Sequence, residues 1–203
     1  MSNGKCRFES PKLKTIAWLA LAFMATGTLE AQVLKNGDFG KGKAFWEGGG
    51  RIVYLDDSGE PTDDKEKGHP VLEINLSKTQ LTEIRQRFTL AHGQKQMKAT
   101  AIAKASADYV RNDKAQKWTP NNTWEPGGWW VWSALVYPKV DFCMRVDANT
   151  HYYLPRSLKA GGGWQTLKGD FKDMNSQGSK VFNIVLPAGE GTIWIKSVTT
   201  TAN

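Results

Sequence analysis

Cysteine and histidine are scarce in this sequence of 203 residues, which contains two cysteines and three histidines. Cys6 lies in an N-terminal segment that has the pattern of an export signal, so only Cys143 would remain in the mature chain and no intrachain disulfide could form. The three histidines are far apart, without a His-x-x-x-His spacing, and no cysteines are paired in a short motif. The sequence therefore predicts no metal site and no cofactor.

Motifs of catalysis are also missing. No Gly-x-Ser-x-Gly turn is present, and the one dense acidic run, residues 56–66, contains Gly59 and Pro61 and is typical of a solvated loop. We therefore predict a protein that is not an enzyme and has no catalytic residues. One alternative stays open: Gln86, His151, Tyr152 and Arg145 supply the residue types of a jelly-roll polysaccharide lyase, without a matching motif.

No apolar run reaches the roughly 20 residues that a membrane-spanning helix needs. The longest run, at 16–25, follows four cations and precedes small residues, which is the order of an export signal. We predict cleavage after Ala31, with residues 1–31 as the signal peptide and 32–203 as one domain. The mature protein is then expected to be secreted or to lie in the periplasm or cell envelope, without a membrane span.

Positive charge is modest once the signal is removed. The four cations and two anions of residues 1–31 account for the fall in formal net charge from +7 to +5. The remaining basic residues are dispersed without a basic stripe, which argues against a nucleic-acid partner. An acidic glycan or an anionic envelope surface fits both the charge and the compartment better.

The apolar pattern of the mature chain is that of β-strands. Outside the signal, no stretch of twelve residues has a convincing period of 3.6, whereas short runs alternate with turn-rich pieces. This predicts an all-β, two-layer antiparallel β-sandwich of the jelly-roll type. The predicted strands are 71–76, 84–90, 97–105, 129–137, 140–147, 152–154, 164–171, 181–186 and 192–198.

Five tryptophans crowd into fifteen residues between 118 and 132. The first two lie in a segment rich in proline, asparagine and glycine, so core packing is not their default explanation. Flat indoles can exclude water from the C–H faces of sugar rings, and an exposed aromatic patch with a polar rim usually marks recognition. Alternation places two of the last three on one face of a strand, so part of this group is expected in the core. The candidate sugar-binding residues here are Trp118, Trp124, Trp129, Trp130 and Trp132.

The next predicted strand offers polar candidates. Asp141, Cys143 and Arg145 share one face, opposite Phe142 and Met144. On a concave face, Asp141 and Arg145 would contact sugar hydroxyls or carboxylates; on a convex face, they would form an exposed pair of little energetic value. Tyr152 and Tyr153 point in opposite directions, and we select Tyr152 as a further candidate contact.

Four short motifs follow one another along the mature chain. Val-Leu-Lys-Asn-Gly-Asp-Phe at 33–39 precedes Trp46, the strand at 84–90 precedes Gly93, Gly163-Trp164 leads to Phe171, and Gly-Thr-Ile-Trp-Ile-Lys-Ser-Val ends at 198. Together they resemble the exported carbohydrate-binding modules of families four, nine and twenty-two. The resemblance implies a jelly roll like that of galactose-binding domains, with Trp46, Trp164 and Trp194 at core positions.

The same resemblance implies acidic residues beside a structural calcium, but these two positions hold Gly40 and Lys196. A lysine ammonium among the oxygen ligands would repel the ion, so we predict no calcium there. The expected function is binding of a polysaccharide or glycan, which can be acidic. The alternative is a structural or adhesive envelope protein that holds a protein partner through the same aromatic surface.

Overall fold

The chain folds as two antiparallel β-sheets packed face to face. The computed structural model describes residues 31–114, 140–147, 153–174 and 178–202, and within these ranges the regular structure consists of strands without a helix. In chain order, the strands are β1 (Ala31–Gln32), β2 (Glu47–Gly48), β3 (Arg51–Leu55), β4 (His69–Asn75), β5 (Thr82–Thr89), β6 (Met97–Ala105), β7 (Val110–Arg111), β8 (Phe142–Val146), β9 (Tyr153–Arg156), β10 (Gln165–Phe171), β11 (Ser179–Leu186), β12 (Gly189–Glu190) and β13 (Thr192–Ala202).

In the part of the chain that the structure describes, one sheet has six strands and the other has five. The six-stranded sheet has the order β10-β6-β13-β4-β3, with β1 paired to β13; the five-stranded sheet has the order β2-β5-β11-β8-β9. The short β7 and β12 pair with each other beside them. This arrangement confirms the predicted two-layer sandwich.

The core lies between the two sheets, because alternation along each strand sends one set of apolar side chains inward. On β11, Phe182, Ile184 and Leu186 have no exposed surface. Phe182 meets Phe171 of β10 edge to face, with ring centroids 6.2 Å apart, so this contact joins the two sheets. Burying each such side chain contributes roughly 1.5–3 kcal/mol to the free energy of unfolding.

The Asn-Gly-Asp-Phe motif ties the start of the domain to the last strand. The backbone N–H of Val198 donates to the carbonyl of Gly37 at 2.7 Å, and a Cβ on Gly37 would collide with the carbonyl oxygen of Val198. The indole N–H of Trp46 donates to the carbonyl of Asn36 at 3.0 Å, and the fully buried Phe39 packs against the Trp46 ring. The expected core position of Trp46 is confirmed, and the motif's role here is packing.

The predicted strands that fall on the described residues are present with small shifts at their ends, and the strand predicted at 129–137 lies outside those residues. The pattern missed β3 and the two-residue strands. Arg51–Leu55 is an edge strand whose four apolar residues run together, so it lacks the alternation on which the prediction relied. No helix of the described chain is long and apolar enough to cross a membrane. The predicted signal falls almost entirely outside the described residues.

Candidate functional site

The side of the five-stranded sheet that points away from the core, here called the five-stranded face, is polar along β5. Ile84 and Phe88 point inward and are buried, so Glu83, Arg85 and Arg87 point outward. On the neighbouring β11, Asn183 stands between inward-pointing residues and therefore also lies on this face. The face thus combines charged groups with an amide, which are the groups that hydrogen-bond sugar hydroxyls.

Backbone register brings four polar residues into one row across the sheet. Arg85 pairs with Glu47 on one side and with Asn183 on the other, and Asn183 pairs in turn with Arg145 of β8. Adjacent strands are about 4.8 Å apart, so the row extends over roughly 14 Å. Arg145 therefore lies on the outward side of β8, as the sequence predicts.

Two ion pairs hold this row. The Nε of Arg85 lies 2.9 Å from Glu47, and both side chains are more than half exposed. One Nη of Arg145 lies 2.6 Å from Glu83, although the two residues are on strands separated by β11. The Arg145 side chain is only 13% exposed, so its guanidinium is held across β11 as an oriented hydrogen-bond donor.

Two further residues of this face are deeply buried. Asn183 is 4% exposed, and its amide donates to the carbonyl of Val181 at 3.1 Å. Cys143 of β8 is also 4% exposed. The accessible polar groups of the face are therefore those at its β2–β5 side, around Arg85 and Glu47.

Asp141 has partners of its own, which differ from those of Arg145. Its carboxylate accepts hydrogen bonds from the Tyr109 hydroxyl at 2.9 Å, from Arg111 at 2.6 Å and from the backbone N–H of Leu158 at 3.1 Å. Burial, followed by the nearby Asp141 charge, raises the pKa of Tyr109 above its ordinary range. These contacts join the end of the β7 region to the start of β8, and a sugar contact by Asp141 stays a prediction.

The remaining predicted sugar contacts lie outside the described residues. These are Trp118, Trp124, Trp129, Trp130, Trp132 and Tyr152. The segment that carries the five tryptophans leads directly into Val140 and then β8, which is one of the strands of the five-stranded face. The predicted role of the indoles stays a prediction.

Trp164 and Trp194 correct the sequence-based expectation that both are core residues. Both are half-buried and face outward from the six-stranded sheet, on either side of Lys104. The indole N–H of Trp194 donates to Glu73 at 3.1 Å, and Glu73 is also paired with Arg51 at 2.8 Å. The sequence already indicated the outward orientation of Trp194, because the apolar Ile193 and Ile195 flank it and must occupy the opposite face of the strand.

Of the four residues proposed for a lyase, the two that the structure describes lie on opposite sides of one sheet. The Gln86 side chain points inward, is 3% exposed, and hydrogen-bonds the backbone N–H and carbonyl of Lys35. Arg145 lies on the other side of the same sheet, whereas His151 and Tyr152 lie outside the described residues. A shared catalytic position for Gln86 and Arg145 is therefore excluded.

Among the residues that the structure describes, no group of three or more His, Cys, Asp or Glu side chains could hold a metal ion. At the two positions where the resemblance implies acids, the Gly40 N–H donates to Asp38 at 3.1 Å and Lys196 lies over the Trp164 ring at 5.8 Å. In the acidic loop, Asp56 caps a turn, and hydrogen bonds from Ser58 and then Glu60 lower its pKa. This loop is a locally hydrogen-bonded turn with solvated carboxylates.

No protein-family model and no curated protein sequence matches the chain. Solved structures do resemble it. A structure described as CBM61 in complex with beta-1,4-galactotriose is 11% identical, covers 84% of this chain and 98% of its own, and has a TM-score of 0.51. The fold is that of a carbohydrate-binding module. This confirms the jelly-roll sandwich that the four sequence motifs predict.

Two larger proteins show weaker likeness. A bacteriophage CBA120 tailspike protein 4 enzymatically active domain is 10% identical over 85% of this chain and 21% of its own, with a TM-score of 0.46. The CBM22-1–GH10 modules of a Clostridium thermocellum xylanase are 11% identical over 86% of this chain and 28% of theirs, with a TM-score of 0.44. The present chain thus corresponds to about a quarter of each.

Proposed function

We propose that this protein is an exported, non-catalytic carbohydrate-binding module that binds a glycan on the five-stranded face together with the tryptophan-rich segment 118–132. The observation that carries the proposal is the row of Glu47, Arg85, Asn183 and Arg145, held across one face of a carbohydrate-binding-module fold. The CBM61 structure was solved with a bound galactotriose, which makes a glycan the first class of ligand to test.

Recognition would combine two kinds of contact. Arg85 and Glu47 present charged donors and acceptors that are more than half exposed, and these can exchange hydrogen bonds with sugar hydroxyls. The Arg145 side chain is 13% exposed and pairs with Glu83, so its contribution is to hold the more exposed Glu83 carboxylate in place on this face. The indoles of Trp118 and Trp124 would stack on the sugar rings and exclude water, which strengthens the polar contacts beside them.

The test begins with a glycan array and continues with calorimetric titration of the best ligand. Trp118→Ala, Trp124→Ala and Arg85→Ala should each weaken binding by about tenfold or more, because each removes roughly 1.4 kcal/mol or more of contact free energy. The melting temperature of each variant shows whether the fold is intact. Weak dependence on salt would support aromatic stacking, whereas loss of binding at moderate salt would indicate ionic recognition.

Arg51→Ala is the matched control. Arg51 forms the same kind of arginine–glutamate pair, with Glu73 at 2.8 Å, but it lies on the six-stranded sheet. Glycan affinity should be unchanged in this variant. Equal losses in Arg51→Ala and Arg85→Ala would exclude the five-stranded face as the site. A protein that binds no glycan on the array and forms a stable dimer would instead indicate a structural or adhesive role.

A further inference from the structure

A cavity opens on the outward side of the six-stranded sheet, opposite the face discussed above. Its volume is about 470 Å³, and it lies over β10, β6 and β13 with Arg156 of β9 at its edge. Strand register arranges the side chains of its floor in two rows of three. One row is Lys168, Thr100 and Thr199, and the next row is Asp170, Lys98 and Thr201.

The chemistry of this cavity favours an anion that also carries hydroxyl groups. Among the residues that the structure describes, three cations, Lys98, Lys168 and Arg156, line it together with one carboxylate, Asp170. Threonine hydroxyls alternate with the charges, and each can both donate and accept a hydrogen bond. An uncharged ligand would form no ion pairs with the cations, and a ligand without hydroxyl groups would form fewer hydrogen bonds with the threonines.

The Arg156 guanidinium is positioned before any ligand arrives. Its Nε donates to the carbonyl of Lys168 at 2.5 Å and one Nη donates to the carbonyl of Pro155 at 2.6 Å. It lies over Gly169, where a Cβ would come within 2.8 Å of the other Nη. Because two backbone carbonyls hold the group, its remaining N–H donors have a fixed direction at the cavity edge.

The same face carries an aromatic cluster farther along β6. The Lys104 ammonium lies 5.1 Å from the Trp164 ring centroid and 4.8 Å from that of Trp194, and Lys196 lies 5.8 Å from Trp164. Cation–π contacts of this kind hold the ammonium groups beside these partly buried indoles. The cluster therefore offers an apolar surface for a sugar ring next to positive charge.

The cavity and the cluster are two ends of one strip. Lys98 and Lys104 are six residues apart on the outward side of β6, which corresponds to about 20 Å at roughly 3.4 Å per residue. The positions between them on β6 and β10 are Thr100, Ile102 and Thr166, which are small or medium side chains. A chain of several sugar units could lie along the strip and reach both ends.

We propose that this strip, the outward side of β10, β6 and β13 from Lys98 to Lys104, is a second glycan-binding surface that selects acidic polysaccharides. The carboxylate or sulfate groups of the polymer bind Lys98, Lys168 and Arg156, and a sugar ring packs on Trp164 and Trp194. The inference takes its ligand class from the proposed function but uses none of the residues of the five-stranded face.

The experiment titrates the full chain with polygalacturonate and with the same polymer after full methyl esterification, which masks the carboxylates. A sulfated galactan and its desulfated form provide the second anion. The proposal is supported if either charged polymer binds and its neutral counterpart binds about tenfold or more weakly. Equal affinity for charged and neutral forms, or no binding of either charged polymer, overturns it.

Charge removal within the strip is tested by Lys98→Gln/Lys168→Gln. Affinity for the charged polymer should fall about tenfold or more, since hydrogen bonds to charged groups contribute about 1.5–3 kcal/mol each. The control is Lys67→Gln/Lys78→Gln, which removes the same net charge from exposed lysines outside the strip. An equal loss in the control, or equal binding of single-stranded DNA, would reduce the effect to unspecific attraction of polyanions.

Trp164→Ala separates stacking from charge, because it changes no formal charge. It should weaken binding of the charged polymer, and the melting temperature of the variant shows whether the fold is intact. Trp118→Ala and Arg85→Ala should leave this binding unaffected. If affinity for the charged polymer falls in Arg85→Ala but not in the strip variants, the second surface is rejected and the first proposal stands. The first proposal is tested separately, by the effect of Arg85→Ala on the ligand found with the glycan array.

Discussion

Asp141 and Arg145 are four residues apart, yet they perform different structural tasks. Arg145 crosses β11 to reach Glu83, whereas the Asp141 carboxylate accepts hydrogen bonds from Tyr109, Arg111 and the backbone of Leu158. The Asp141 side chain is 13% exposed, so these bonds are shielded from water. A shielded carboxylate with three donors contributes more to stability than an exposed pair does.

Asp141→Asn should therefore lower the free energy of unfolding by about 1–3 kcal/mol, since the change weakens the ion pair with Arg111 and places an NH₂ among hydrogen-bond donors. Denaturation in urea measures the loss. Asp113→Asn is the matched control, because Asp113 also pairs with Arg111 but its side chain is 47% exposed. A loss in the control as large as that in Asp141→Asn would contradict the assignment.

Gly169 is required by packing between the two sheets. A Cβ at this position would collide with Leu154 Cδ1 and would come within 2.8 Å of Arg156. We expect Gly169→Ala to lower the free energy of unfolding by about 1–3 kcal/mol through overpacking. Gly163 precedes the same strand and a Cβ there would meet nothing within 4 Å, so Gly163→Ala should change stability by no more than about 0.5 kcal/mol.

At the scale of elements, β11 is the central strand of the five-stranded sheet and separates the core from the proposed binding face. It pairs with β5 on one side and with β8 on the other. Phe182 points into the core, and Val181, next to it, is half-buried on the outward side opposite Arg87. A shift of one residue in register would exchange these two environments.

The two substitutions Phe182→Ala and Val181→Ala test this register. Phe182→Ala removes a fully buried ring and should lower the free energy of unfolding by about 3–5 kcal/mol, whereas Val181→Ala should cost less than about 1.5 kcal/mol. Urea denaturation of both variants gives the comparison. Losses of similar size would show that β11 does not have the side-chain orientation described here.

At the scale of the whole molecule, the sandwich presents two chemically different outward faces. The five-stranded face has a row of paired charges around Arg85 and Arg145, and the six-stranded sheet has the basic cavity and the Trp164–Lys104–Trp194 cluster. The polysaccharides proposed as ligands lie outside the cell, so a protein that binds them has to be exported. Export is therefore part of the same functional proposal.

Export predicts a defined mature terminus. Expressed with its first 31 residues in a bacterial secretion host, the chain should be recovered outside the cytoplasm with Gln32 as its first residue, as measured by intact mass and N-terminal sequencing. Leu19→Arg places a charge in the apolar run and should leave the chain uncleaved. Recovery of the unchanged, full-length chain from the cytoplasm would refute the signal.

The alternation of apolar residues could be read from the sequence, and the strands predicted from the sequence include β4, β5, β6, β8, β9, β10, β11 and β13. It missed Arg51–Leu55 because an edge strand with a continuous apolar run has no such pattern. The same alternation indicates the outward orientation of Trp194, which lies between Ile193 and Ile195. The expectation that Trp194 is a core residue came from the resemblance to the family, whereas in this chain the residue faces outward.

The sequence by itself determined the class of fold and the outward position of Arg145, because both depend on the local period of the apolar residues. Only the tertiary structure decided the partners of Asp141 and Gln86 and the meeting of Trp164, Trp194 and Lys104. Those contacts join strands that are distant in the chain. Pairing register places side chains from different strands side by side, and no local pattern in the sequence specifies that register.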